Sequence, residues 1–337
     1  MYDIYMKNTI KNKLYQMFIL GLEGENLYEN PNLAMALSQS LGGVIFFTQN
    51  IKTSKQFKKL IEDIKNETIK LHLPPPFLSI DQEGGRVERT ENLYKGKCFL
   101  SAKHAVANGE RFLKEQTKKI AHLLKDFGIN LNFAPVLDVN TNPDNPIIGE
   151  RAFSDNVDEV IKCGKIVVET YLKNEIIPCT KHFPGHGDAS VDSHISLPKI
   201  DLPLEEMEEI HIKPFKEVES PIIMVAHLHC SAFDKEEIPS SLSKNVIGYL
   251  RNKLNYDGLI ITDDMVMGGV LGLDGTQACI KAIKAGVNIL LYRDSKNETI
   301  QIIENIAELA TKDKELSNKI EESYSKIIEF KAKWVKG

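Results

Sequence analysis

The chain has 337 residues, 42% of them hydrophobic and 26% charged, with a net charge of −5 and a pI near 6.0. That balance suits a globular protein with a sizeable core and excludes a disordered chain. It also lacks the clustered excess of Lys and Arg that nucleic acid or an anionic membrane would require, so a small-molecule substrate is expected.

The N-terminal stretch Met1 to Leu14 carries Lys7, Lys11 and Lys13 but no apolar segment leading to a cleavage site, and no 18-residue apolar run occurs anywhere. The five cysteines lie far apart with neither a C-x-x-C pair nor zinc spacing, which fits a reducing compartment. A soluble, cytoplasmic protein without a membrane partner is expected, and a monomer is the default assembly.

Short apolar runs recur near 17–22, 43–48, 77–81, 130–137, 176–181, 222–227, 258–262 and 287–292. Helical spacing fills the intervals, at about 31–41, 54–70, 111–127, 155–174, 204–217, 243–254, 276–285 and 297–309. A further amphipathic stretch over 316–334 sets Ile320, Tyr324, Ile327 and Ile328 on one face and predicts an extra C-terminal helix. Runs such as Gly258-Leu-Ile-Ile-Thr262 are apolar throughout, as strands of a parallel sheet buried on both faces must be. Eight βα units without a linker predict a closed (β/α)8 TIM-type barrel, with residues 1–337 as a single domain.

In such a barrel the chemistry lies at the carboxyl ends of the strands, and the polar clusters fall there. Asp81-Gln-Glu-Gly-Gly-Arg-Val-Glu-Arg89 follows the third strand, and Asp138 and Ile148-Gly-Glu-Arg151 follow the fourth. Lys181-His-Phe-Pro-Gly-His-Gly-Asp188 through Asp192-Ser-His194 follows the fifth, His227-Leu-His229 the sixth, and Thr262-Asp-Asp-Met265 the seventh. Taken singly, each has an ordinary structural explanation. Gly84-Gly85 suits a turn, Arg89 and Arg151 suit a solvated surface, and Asp138 suits a cap. At least one of His227 and His229 suits a hydrogen-bonded core.

Two chemistries compete for the cluster at 181–194. A metal hydrolase would gather His182, His186, Asp192 and His194 around Zn²⁺. A glycosidase would need an ionised carboxylate at the anomeric carbon and a proton donor for the leaving oxygen. Spacing alone does not exclude the metal, although there is no H-E-x-x-H, and Pro184-Gly185 between the first two histidines cannot continue a helix.

Six segments in order, joined by Gly42-Gly-Val-Ile-Phe-Phe47 and Pro239-Ser-Ser-Leu-Ser243, carry a family resemblance. They are Asp81–Arg89, Phe133-Ala-Pro-Val-Leu-Asp138, Ile148-Gly-Glu-Arg-Ala-Phe153, Lys181-His-Phe-Pro-Gly-His-Gly187, Asp192-Ser-His194 and Thr262-Asp-Asp-Met265. Together they resemble the bacterial β-N-acetylglucosaminidases of glycoside hydrolase family 3. The resemblance implies Asp263 as nucleophile, with Asp264 the rival that strand alternation should point the other way. Many members of that family place a glutamate acid/base in a second domain, whereas about 45 residues follow the eighth predicted strand here. It therefore implies His194 as acid/base, oriented by Asp192, on a loop that Gly185, Gly187 and Asp188 leave free to close. Asp81, Arg89, Arg151, Lys181 and His182 would hold the non-reducing N-acetylglucosamine.

The implied reaction is retaining hydrolysis, without a cofactor, of peptidoglycan fragments in which N-acetylglucosamine is β-1,4-linked to anhydro-N-acetylmuramic acid, with or without peptide. A phosphorylase on the same fold and a sugar-binding barrel without activity remain as alternatives.

Overall fold

Eight short strands pair in sequence order: β1 (Phe18–Leu20), β2 (Gly43–Phe46), β3 (Phe77–Ile80), β4 (Leu131–Asn132), β5 (Ile177–Phe183), β6 (Ile222–Val225), β7 (Leu259–Asp264) and β8 (Ile289–Tyr292). Every pairing is parallel, and β8 returns to β1 with Phe18 opposite Leu290, so the sheet closes into a barrel. This is a computed structural model, and it describes residues 9–94, 96, 98–189, 197–267, 270 and 272–335.

All eight predicted strands are present. β4 is shorter than its apolar run because Pro135 has no N–H for the ladder. Beyond Asn132 only Val136 bridges, to Lys181. β5 runs two residues past its predicted end and carries Lys181 and His182 to the barrel mouth.

Helices surround the barrel because each buries one stripe against it. In Ser54–Lys70, Phe57, Leu60, Ile61 and Ile64 form that stripe, and the Thr53 hydroxyl caps the start by accepting from Gln56 N. The helix expected over 204–217 is present, with an i→i+5 segment at Met207–Ile212 just before Pro214. The C-terminal helix Lys314–Trp334 packs against the short helix Ile10–Gln16, which the sequence reading did not anticipate. Between these elements Lys331 is buried, donating to Gln16 Oε1 at 2.9 Å and to the Gly42 carbonyl at 2.7 Å, with Nζ 4.8 Å from the centre of the Phe77 ring.

Two small additions shape the upper face. Gln82–Gly84 and Val87–Glu88 form an antiparallel hairpin after β3, and Lys199–Ile200 pairs with His229–Cys230. No helix among the described residues is long and apolar enough to cross a membrane.

Candidate active site

A pocket of about 200 Å³ opens at the carboxyl ends of the strands. Its polar lining comes from the segment after β3 (Asp81, Glu83, Arg89), the segment after β4 (Arg151), β5 and the turn beyond it (Lys181, His182, then His186), β7 (Asp263, Asp264) and the residue after β8 (Arg293). Ile45, Phe47, Met224 and Leu291 contribute apolar wall.

Five of the residues expected to hold sugar meet here. Lys181 Nζ lies 2.7 Å from Asp81 Oδ1 and 2.6 Å from Glu83 Oε1. Arg151 grips Glu83 with Nε and a terminal nitrogen, each at 2.8 Å. Arg89 stands over the Phe47 ring at 5.5 Å, with its guanidinium 4.0 Å from Asp81. Burial alone would raise the Glu83 pKa, but Arg151 and Lys181 hold it well below the usual carboxylate range. Glu83 in turn keeps Arg151 charged, and Asp81 together with Glu83 keeps Lys181 charged, despite their own burial. Two fixed donors therefore point from one anchor into one pocket, an arrangement suited to a ligand rich in hydroxyls.

His182 is fixed from behind. Asp138, fully buried, accepts from His182 Nδ1 at 2.7 Å and from the backbone N–H of His182 and His186, at 3.2 and 2.7 Å. Burial opposes ionisation of Asp138, yet the two histidines hold its pKa down. The ring is left with Nε2 toward the pocket, 3.4 Å from an Arg151 terminal nitrogen. His186 is buried, and neither of its ring nitrogens has a hydrogen-bond partner among the described residues.

The two aspartates at the end of β7 differ sharply. Asp264 accepts from Val266 N at 3.2 Å, from Arg293 N at 3.1 Å and from Arg293 Nε. Asp263 accepts only from Asp264 N, at 2.8 Å, among the described residues. Burial would raise its pKa, but His182, His227 and Lys181 hold it below the ordinary value, so the carboxylate is ionised at neutral pH. Strand alternation was expected to send the two side chains opposite ways, yet both line the pocket. The reason is a register irregularity between Ile261 and Asp264, where β7 departs from regular pairing with β8.

The loop after β5 also departs from expectation. Asn145 donates to the His186 and Gly187 carbonyls at 2.8 and 3.2 Å, and Thr141 reaches Asp188 at 3.1 Å. A Cβ on Gly187 would fall 1.7 Å from the Val139 carbonyl. Gly187 therefore serves close packing rather than freedom to move, and residues 184–189 are pinned. Asp192 and His194, expected as the acid/base dyad, lie outside the described residues. No group of three or more His, Cys, Asp and Glu that could hold a metal ion occurs among those described.

Glu83, Asp138 and Arg293 escaped the sequence reading as site residues. The first had a signal, since it stands two residues from Asp81 and strand spacing puts both on one face. Asp138 ends a buried apolar run, which marks a polar group needing partners, but a cap explained it equally well. Nothing local distinguished Arg293 from an ordinary surface arginine.

A polar pocket with a carboxylate free of ion pairs among the described residues, at the carboxyl ends of a closed (β/α)8 barrel, lies where enzymes of this fold keep their chemistry, and glycoside hydrolysis is one reaction such a carboxylate serves. Residues 9–330 match the glycosyl hydrolase family 3 N terminal domain, and the chain belongs to that family. It is 34% identical over 284 residues to β-hexosaminidase A of Pseudoalteromonas piscicida, covering 77% of this chain and 47% of that protein. With a β-hexosaminidase of Haemophilus influenzae it shares 32% identity over 302 residues, 86% of this chain and 82% of the other. The structure of a family 3 β-N-acetylglucosaminidase from Paenibacillus sp. superposes with a TM-score of 0.87 at 29% identity, covering 96% of this chain and 62% of that one. The chain thus spans about half the length of the first of these relatives and nearly two thirds of the Paenibacillus enzyme.

Proposed function

We propose that the protein is a retaining exo-β-N-acetylglucosaminidase acting as one catalytic domain in the cytoplasm. It removes non-reducing terminal N-acetylglucosamine from peptidoglycan fragments of the N-acetylglucosaminyl-β-1,4-anhydro-N-acetylmuramic acid type. The relatives named β-hexosaminidase support the activity. The observation that carries the reading is the contrast at the end of β7: Asp264 is tied to Arg293, while Asp263 stands ionised and without a cation partner among the described residues.

In this reading Asp81, Arg89, Arg151, Lys181 and His182 hold the glycosyl ring by hydrogen bonds to its hydroxyls and acetamido oxygen. Asp263 attacks the anomeric carbon, the glycosidic bond breaks, and the leaving oxygen takes a proton from His194. Water then attacks the glycosyl-Asp263 ester, losing a proton to His194 and restoring the carboxylate. Asp192 orients His194 and steadies its charged form. The deeply placed Lys181–Glu83–Arg151 cluster favours positioning, since each group is already held where the ring must sit.

The test is hydrolysis of 4-nitrophenyl N-acetyl-β-glucosaminide beside the matching glucoside, with phosphate and with EDTA in separate arms. Cleavage of the first alone, unaffected by EDTA and releasing N-acetylglucosamine as the β-anomer, is expected. Release of N-acetylglucosamine-1-phosphate would make the protein a phosphorylase, and loss of activity restored by Zn²⁺ would return the metal reading.

A further inference from the structure

The charged groups of the pocket are graded by depth. The Lys181 side chain is 3% exposed, that of Arg89 29%, and that of Arg293 43%, the shallowest among the charged side chains in described ion pairs of the lining. Depth separates the two halves of a substrate for an enzyme that removes terminal sugars. The glycosyl unit occupies the deep end, among the groups from β3 to β5, and the leaving group extends through the mouth.

Arg293 stands at that mouth one residue beyond β8, next to the nucleophile strand and across the barrel from the groups assigned to the sugar. Its backbone N–H and Nε are spent on Asp264. The two terminal nitrogens have no protein partner among the described residues, so four N–H donors face the place where a leaving group must lie. A planar pair of donors with a delocalised charge matches a carboxylate better than a hydroxyl.

We infer that Arg293 is a specificity-determining residue that recognises a carboxylate on the leaving group. The inference rests on the hydrolase reading above and names the class of leaving group within it. A neutral leaving group gains nothing from Arg293 beyond packing, whereas an anionic one meets a half-exposed charge whose donors are already oriented by Asp264.

The experiment compares kcat/KM for N-acetylglucosaminyl-β-1,4-N-acetylmuramic acid with that for its carboxyl methyl ester, in the unmodified protein, Arg293→Gln and Arg293→Lys. The readout is the acid-to-ester ratio within each protein, so any general loss from disturbing Asp264 cancels. In the unmodified protein the acid is expected to be favoured about fivefold, as an exposed charge contact allows. That ratio should fall to about one in Arg293→Gln, stay intermediate in Arg293→Lys, and shrink as salt is raised. Equal ratios in all three proteins would overturn the inference while leaving the hydrolase reading intact. Failure of the unmodified protein to cleave either substrate would overturn both.

Discussion

Asp264 gives its carboxylate to Arg293, accepting from the backbone N–H at 3.1 Å and from Nε, and so ties the end of β7 to the end of β8. Its neighbour Asp263 is left facing the sugar-holding residues with no cation partner among those described. Asp263→Asn should therefore lower kcat on an aryl N-acetylglucosaminide by at least about 10⁴-fold. Asp264→Asn should cost only about 10²-fold, the scale of a misplaced nucleophile. Steady-state kinetics of the two variants check this, and equal losses would mean that the carboxylates share the reaction.

Glu83 holds two buried cations at once, so its loss acts on binding and stability together. Glu83→Gln leaves Arg151 and Lys181 undercompensated in a buried setting, at a cost of about 3–5 kcal/mol. A clear fall in Tm by calorimetry is expected, with a rise in KM larger than the fall in kcat. A variant with unchanged Tm would show that the cluster is solvated rather than structural.

Acid should destabilise the protein through the same residues. The folded-state pKa values of Glu83 and Asp138 both lie below their ordinary values. Their stabilisation is thus complete above the unfolded pKa of about 4 and is lost as pH falls through the folded values. Urea midpoints should be level between about pH 5 and pH 6 and drop below about pH 4. Asp138→Asn should flatten that drop and, by releasing His182, reduce turnover.

Lys331 moves stability in the same direction, but at higher pH. Burial pulls its ammonium down to about 7, below the unfolded value. At pH 6 both states hold the proton and the folded state bears the full cost of a buried charge. Between pH 7 and about 10.4 the unfolded chain binds more protons, so stability rises with pH. The Tm difference between pH 6 and pH 9 should shrink in Lys331→Met, and an unchanged difference would place the pH response elsewhere.

Gly187 packs against the Val139 carbonyl, where a Cβ would intrude to 1.7 Å. Gly187→Ala should cost about 1–3 kcal/mol and displace the segment leading to Asp192 and His194. Thermal melts paired with activity assays check it, and a variant of normal stability and activity would show that the segment can shift without consequence.

The barrel was legible because its strands are apolar from end to end and its helices carry one buried stripe, as Phe57, Leu60, Ile61 and Ile64 show. Asp81, Lys181 and Asp263 were legible because strand ends are where a barrel keeps polar groups. What could not be read depended on geometry across strands. The irregularity in β7 turns Asp264 toward Arg293, and these residues lie 29 positions apart. The role of Gly187 likewise depends on a carbonyl 48 residues earlier, which no local pattern records.

The central claim, that Asp263 forms a covalent bond to the sugar, is tested most directly by trapping. The protein would be incubated with 2-acetamido-2-deoxy-5-fluoro-β-D-glucopyranosyl fluoride, whose β leaving group Asp263 can displace in line, then digested, and its peptides sequenced by mass spectrometry. The account predicts one fluoroglycosyl ester, on Asp263. A label on Asp264 or another residue, or inactivation with no covalent label at all, would contradict it.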